Sequence, residues 1–366
     1  MASNHTSSLP GGPITLPTEI SDLTTDWLDA ALRSWTPGVK LKHSEIVDIN
    51  NGTCTKIRVA LEMDEAGKAA GIPASVILKG GFEPHSRLMH YMHGEEVHAY
   101  ADVRPHTPLR MPACWFAGYD AEAQQGIVIM DDLVARGVEF CHPQKPQTPE
   151  QVARRLTMLA RHHAMTWNSP DIQPGGKFSW ANHIADTSYF PTVLVPHIWQ
   201  GYVDSARGAA ASVCFHDLDW MIEAVGKFGR FAKTLPSMLI HGDTHLGNLY
   251  IDIDGEPGFF DSLPHLAPAM YEISYHVTGA LDVPVRRAHE RALVEHYRQE
   301  LIACGVDAPS LDHFMHQFGV FLANGYAIFL VNASEFQPEA INTAYTARFS
   351  SAMLDHDTIG LIAALD

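Results

Sequence analysis

The chain has 366 residues, 46% of them hydrophobic, and a formal net charge of −17, so it can bury a sizeable core and has the length for two lobes. An acidic balance without a Lys/Arg cluster argues against nucleic acid and against an anionic membrane as partners. Five scattered cysteines (Cys54, Cys114, Cys141, Cys214, Cys304), odd in number and lacking a C-x-x-C pair, point to reduced thiols in a reducing, cytoplasmic compartment.

Met1 to Pro17 is polar, with Gly and Pro and no charged-then-apolar signal pattern, and is expected to be a flexible arm over residues 1–17. Asn50-Asn51-Gly52-Thr53 is a turn-forming stretch that opens into an alternating strand through Leu61. Such a turn either joins two strands and nothing more, or faces phosphates with its backbone N–H groups. It lacks the G-x-G-x-x-G pattern, and both readings stay open. Ala74-Ser75-Val76-Ile77-Leu78 is a short apolar, β-branched run that ends in Lys79, and Gly94-Glu95-Glu96-Val97-His98-Ala99-Tyr100 follows it. Gly126 to Met130 reads as a buried strand leading into Asp131, Asp132 and Leu133.

A boundary is expected between Asp131 and Thr148, where Gly137 and a Pro143/Pro146 loop separate strand-like runs from helical ones. Thr148-Pro149-Glu150-Gln151 combines an N-cap, a first-turn proline and a back-reaching Gln. Leu156, Leu159, Ala160, His163 and Trp167 then recur at helical spacing, with His163 read as a satisfied interior histidine. The segment Asp171–Leu235 carries Phe178, Trp180, Tyr189, Phe190, Trp199 and Tyr202, some of them core and some lining a pocket. Its carboxylates (Asp186, Asp204, Asp217, Asp219, Glu223) are spread out rather than dense. Phe318 to Val331 is the most apolar run; it contains Asn324, is too short to span a bilayer, and reads as a buried helix.

Twenty-two histidines invite a metal reading. His85, His90, His93 and His98 crowd one region without a recognised ligand spacing and are expected to be exposed and unligated. His241 and His245 flank Asp243, but a zinc site of the H-E-x-x-H type needs a helix. Gly242 and the apolar run before His241 indicate a strand-to-loop site instead.

The richest stretch is His241-Gly242-Asp243-Thr244-His245-Leu246-Gly247-Asn248, with Asp261 thirteen residues beyond its Asn. Asp243 and Asn248 stand five apart, the interval of a phosphotransferase loop whose Asp receives a hydroxyl proton and whose Asn holds Mg²⁺. Leu249-Tyr250-Ile251, an Asp254-Gly255 turn and Phe259-Phe260 form a hairpin pattern with a primed-turn dipeptide. Folding that hairpin brings Asn248 and Asp261 together at its open end, as two oxygen ligands for a hard cation.

H-G-D-x-H-x-x-N with a downstream Asp resembles the aminoglycoside phosphotransferase and choline kinase group, and within it the ecdysteroid-kinase-like branch of small-molecule kinases. The resemblance runs from about Ile46 to near the C-terminus. It implies an α+β, bilobal protein-kinase-like fold: a mainly β N-lobe (18–132) that binds the nucleotide and a mainly helical C-lobe (133–366). It also implies that Glu96, on a helix of E-V-x-x-Y type, pairs with Lys79 so that Lys79 contacts ATP phosphates; Glu95 is the adjacent competitor. Gly52 and Thr53 would face the phosphates, and backbone groups around Asp131 and Leu133 the adenine. Asp243 would be the catalytic base, Asn248 and Asp261 the Mg²⁺ ligands, and a small-molecule hydroxyl the acceptor, by preference an uncharged, partly apolar alcohol or phenol. Ser262-Leu263 in place of Phe-Gly, and the lack of an A-P-E sequence, argue against a regulated protein kinase. Glu272 stands where the group often has a structural Asp. The competing readings are a catalytically inactive kinase-like binding module and a metallophosphoesterase; the second lacks the upstream D-x-H and downstream G-N-H that its class needs.

Overall fold

Helix α1 (Thr25–Trp35) begins where Thr24 Oγ1 accepts the Trp27 N–H, and it lays Leu28, Ala31 and Leu32 against a five-stranded sheet. The structure is a computed structural model; it describes residues 14–366 apart from Thr53 and 187–189, and excludes the side chains of Arg87 and Leu88. The sheet comprises β1 (Leu41–Asn50), β2 (Thr55–Met63), β3 (Ser75–Gly80), β4 (Cys114–Asp120) and β5 (Gln125–Asp131), all antiparallel in the order β1-β2-β3-β5-β4. In β2 alternate residues Ile57, Val59, Leu61 and Met63 point into the apolar layer beneath α1, as period-2 patterning dictates. Helix α2 (Glu65–Ala69) follows β2, and α3 (His90–His98) packs across β5, which is buried along nearly its whole length.

Residues 14–17 depart from the expected flexible arm. Leu16 is buried in the apolar cluster of the sheet, the Thr15 carbonyl accepts the Trp27 indole N–H (2.9 Å), and the Pro17 carbonyl accepts from Gln125 Nε2 (2.8 Å). A single apolar side chain with two backbone anchors is too short a pattern for composition to reveal.

After β5 the chain turns helical: α4 (Leu133–Arg136), the two-residue β6 (Glu139–Phe140), α5 (Pro149–Thr166), α6 (Phe190–Val193), α7 (Pro196–Val203), α8 (Ala206–Ala209) and α9 (Leu218–Lys233). The expected capping box forms, with Thr148 and Gln151 each satisfying the other's backbone N–H. Three short strand pairings then build the site: β7 (Met238–Ile240) with β10 (His265–Ala267), and β8 (Leu249–Ile251) with β9 (Pro257–Phe259) and β6. The rest is α10 (Ala269–Ala280), α11 (Val283–Ala303), α12 (Leu311–Val331), α13 (Glu339–Asp355) and α14 (Thr358–Ala363). Helix α10 is buried on every side. Helix α12 is long and apolar enough to cross a membrane, yet 83% of its most apolar window is buried inside the protein. Its Asn324 is satisfied there by the Tyr271 hydroxyl (2.8 Å), so the polar interruption incurs no unpaired-group penalty.

The aromatic residues of the 171–235 segment are mostly core. Phe178, Phe190 and Trp199 are buried, Trp180 stacks on His98, and the Tyr202 ring lies 4.1 Å from the Arg207 guanidinium. Tyr189 lies outside the described residues. Three of the four crowded histidines have separate hydrogen-bond partners, and the expectation that the four are exposed fails. His93 is buried, with its pKa pushed down to about 4 by burial and nearby Lys79, while His85 donates to Gly52 O, His90 meets the Tyr119 hydroxyl and His98 meets Asp102.

Candidate active site

Strand β7 delivers His241 and then a forced bend. Gly242 has φ +91°, and a Cβ there would sit 1.8 Å from the Leu263 carbonyl oxygen, so only glycine fits. Behind the bend, Glu272 of α10 accepts the Gly242 N–H (2.8 Å) and the His241 N–H (3.3 Å), and His163 Nε2 faces it at 2.9 Å. His163 Nδ1 in turn meets the Tyr297 hydroxyl (2.7 Å), making it the satisfied interior histidine expected. Burial alone would raise the Glu272 carboxyl, but His163 and the backbone donors outweigh it and hold its pKa at about 2. The Glu272 carboxylate thus reaches two consecutive loop amides and holds the bend. His241 Nδ1 accepts the Asp243 N–H (3.3 Å), so this histidine shapes the loop.

Asn248 donates from Nδ2 to the Asp243 backbone carbonyl (3.1 Å) and to Asp243 Oδ2 (2.8 Å), which leaves its amide oxygen as the atom that could hold a cation. The hairpin forms as read, with Leu249 opposite Phe259 and Tyr250 opposite Gly258. Its tip differs from a two-residue turn: Gly255 N–H closes on Asp252 O, Asp252 N–H bonds Glu256 O, and Gly255 adopts φ +80°. At the open end Phe260 N–H bonds the Asn248 carbonyl (3.0 Å), which sets the Asn248 backbone against the residue that precedes Asp261. Asp261 itself has φ +54°, a left-handed conformation that Asp tolerates better than most residues. Among the described residues no group of three or more His, Cys, Asp or Glu could hold a metal ion. The Asn248 amide oxygen and the Asp261 carboxylate are a pair of hard oxygen donors, a set of the kind that suits a cation such as Mg²⁺, which keeps waters in its shell.

Lys79, at the end of β3, joins the halves of the site. Its buried ammonium bonds Glu96 Oε1 on α3 and, at 2.7 Å, Asp261 Oδ1, while Lys56 approaches Asp261 Oδ2 at 3.5 Å. Burial disfavours the charge on Lys79, but Asp261 and Glu96 outweigh it and raise its pKa well above the usual lysine range. Tyr100, the last residue of the E-V-x-x-Y stretch, is buried beneath with its hydroxyl on Met130 Sδ.

Glu95 faces another way. Its Oε1 lies 3.0 Å from His265 Nε2, and His265 Nδ1 donates to the Leu263 carbonyl (2.7 Å). Both ring nitrogens thus face acceptors, the arrangement of a doubly protonated imidazolium. Burial opposes that charge, but Glu95 and the carbonyl raise the His265 pKa above its ordinary value. A raised histidine contributes its full stability below the unfolded-state pKa and loses it as pH rises through the folded-state pKa. The melting temperature should therefore drop by a few degrees across that window. Glu95→Gln should flatten the drop, and a pH-independent melting temperature in both proteins would refute the clamp.

Of the remaining expected contacts, Gly52 sits in the β1–β2 loop, its carbonyl held by His85 Nε2 (2.9 Å), and Thr53 lies outside the described residues. Asp131 spends its N–H on Ala113 O (3.0 Å) and its carboxylate on the Trp115 indole (2.9 Å). Leu133 opens α4, so its N–H is among those a helix leaves without an intrahelical acceptor. Between them Asp132, to which the sequence pattern assigns no role, caps Val134 and Ala135 and accepts from Arg58 Nε (2.8 Å) and Ser75 Oγ (2.7 Å). The pattern assigns none to Lys56 either; it follows Thr55 in an alternating strand, and nothing local marks it. A cavity of about 380 Å³ opens between Asn51, Gly52, Glu83 and His85 on one side and Glu335 and Phe336 of the α12–α13 connection on the other.

No protein-family model matches this sequence, and no curated protein does. Solved structures do. A chain from Ralstonia eutropha JMP134, described as a candidate aminoglycoside phosphotransferase, superposes with a TM-score of 0.54 at 12% identity, over 91% of this chain and 98% of its own. Choline kinase LicA from Streptococcus pneumoniae gives 0.48 at 9% identity, over 86% and 94%. A Plasmodium vivax ethanolamine kinase gives 0.47 at 12% identity, over 84% and 82%. The first of these likenesses defines the fold: a protein-kinase-like architecture with a β-rich N-lobe and a helical C-lobe.

Proposed function

We propose that the protein is a cytoplasmic, ATP- and Mg²⁺-dependent phosphotransferase that moves the γ-phosphoryl group to a hydroxyl of a small molecule. One observation carries this reading: Glu96, Lys79 and Asp261 form an unbroken chain of contacts, and the hairpin joins Asp261 to Asn248 and Asp243. A surface hairpin with stray carboxylates gives no reason for a buried lysine to reach it. The division at residues 132/133, the ecdysteroid-kinase-like branch and the Gly52, Thr53, Asp131 and Leu133 contacts to ATP belong to the same proposal.

Phosphoryl transfer asks the protein to align donor and acceptor and to neutralise charge. Lys79, fixed by Glu96, meets the phosphates. Asn248 and Asp261 would hold Mg²⁺, which would supply further neutralisation of the phosphate charge. Asp243 orients the acceptor hydroxyl and takes its proton late, as the new O–P bond forms and the electron pair of the broken P–O bond leaves with ADP. An uncharged, partly apolar alcohol or phenol is the favoured acceptor. Tyr275 and Phe329 lie behind Asp243, and carboxylates of the 171–235 segment are engaged elsewhere: Asp186 by Lys233, Asp217 as a helix cap.

The test is ADP release with labelled ATP against a panel of hydroxylated metabolites. Ammonium-bearing alcohols belong in it, since Glu83 and Glu335 flank the cavity. Label is expected on a low-mass product and none on added protein. Nucleotide binding without ADP would indicate an inert module, and phosphate release from phosphoesters without ATP a phosphoesterase. Lys79→Ala and Glu96→Ala should each lower kcat/KM by at least ~10²-fold, and the double variant should be little worse, because the two act as one unit. Strictly additive effects would break the pair.

A further inference from the structure

Tyr275 lies on α10, outside the sequence motifs, yet its hydroxyl donates to Asp243 Oδ1 at 3.1 Å. The other oxygen, Oδ2, accepts from Asn248 Nδ2 (2.8 Å) and has His245 Nε2 at 3.4 Å. His245 Nδ1 accepts the Gly247 N–H (2.9 Å), so the neutral ring carries its proton on Nε2, the nitrogen nearer Asp243. Among the described residues, then, Oδ2 has two nitrogens against it and Oδ1 a single donor. A carboxylate oxygen offers two lone-pair sites, so Oδ1 keeps one beside the Tyr275 hydroxyl, while Oδ2 holds the Asn248 hydrogen bond and is crowded by the His245 ring.

The Tyr275 hydroxyl is held by packing. Its ring stacks on Phe329 of α12 (centroids 5.4 Å, planes 9° apart), and Phe329 stacks on Tyr345 of α13 (4.0 Å, 18°). Tyr345 in turn accepts the Leu246 N–H with its own hydroxyl (3.0 Å). Three helices thus present one rigid aromatic column whose two hydroxyls grip the catalytic loop at Asp243 and at Leu246. Aromatic side chains lose little rotamer freedom in such a stack, so the donor is placed before substrate arrives.

We infer that Tyr275 is the positioning residue of the catalytic aspartate: it fixes the Asp243 rotamer and assigns Oδ1 as the oxygen that receives the acceptor hydroxyl's proton. This rests on the phosphotransferase reading above. In the transfer the acceptor O–H proton passes to Oδ1, the acceptor oxygen bonds phosphorus, and ADP departs with the electrons of the broken P–O bond.

Tyr275→Phe keeps the ring column and deletes only the hydroxyl. kcat should fall about tenfold, the factor that loss of one oriented hydrogen bond removes, with the KM for ATP unchanged. In an Asp243→Asn background the same substitution should have no further effect on kcat, because the assigned contribution of Tyr275 passes through the Asp243 carboxylate. A merely structural tyrosine would cost the same factor in both backgrounds. Turnover of Tyr275→Phe within about twofold of wild type, or an undiminished loss in the Asp243→Asn background, overturns the assignment. Wild-type protein that forms no ADP with any acceptor sinks the phosphotransferase reading instead, so the two failures are distinct.

Discussion

Asp243→Asn is expected to lower kcat by at least ~10²-fold, because proton acceptance and acceptor alignment are lost together. ATP affinity should stay close to wild type, since the nucleotide contacts proposed for Lys79 and the β1–β2 loop do not pass through Asp243. The fold should survive as well. Asn248 donates to Oδ2, which an asparagine can match with its own carbonyl oxygen, while its amide nitrogen faces the Tyr275 hydroxyl, a group that accepts as readily as it donates. Steady-state ADP release beside a nucleotide-binding titration measures both quantities. A variant that keeps most of its turnover removes Asp243 from the chemistry and weakens the whole assignment.

Asp261→Asn should abolish Mg²⁺-dependent turnover to a similar or greater extent, by ~10²-fold or more, with the protein still folded. Asparagine is the informative choice because Asp261 has φ +54°. Asn visits that region readily, whereas alanine would add roughly 1–2 kcal/mol of backbone strain and confuse loss of metal with loss of structure. The charge is what changes. Burial opposes ionisation of Asp261, but Lys79 and Lys56 overcome it and hold its carboxyl far below the usual carboxylate range. In the variant Lys79 still has Glu96, and Lys56, which is 43% exposed, turns to water. Stability should fall modestly while turnover collapses. A Mg²⁺ titration of ADP release checks this; full activity of the variant, or of wild type in excess EDTA, would refute the metal assignment.

Several features were legible in the chain because their causes are local. The Thr148 capping box, the β8–β9 hairpin and the five-residue Asp243–Asn248 interval each rest on backbone geometry within a few residues. The apolar run ending at Val331 declared a buried helix by composition alone. The three-dimensional arrangement decided what those signals could not. Successive helical residues point about 100° apart, so the rotation of α3 alone sends Glu96 to Lys79 and Glu95 to His265. That Glu272 could replace a shorter Asp depended on how near α10 runs to the Gly242 amide. Leu16 joined the core because a hydrophobic cluster lay within reach, and Tyr275 met Asp243 because α10, α12 and α13 stack their rings in register. Spacing along a chain encodes contacts within a turn or a hairpin. Contacts between distant segments depend on which faces the elements bury against one another, and only the packed molecule sets that.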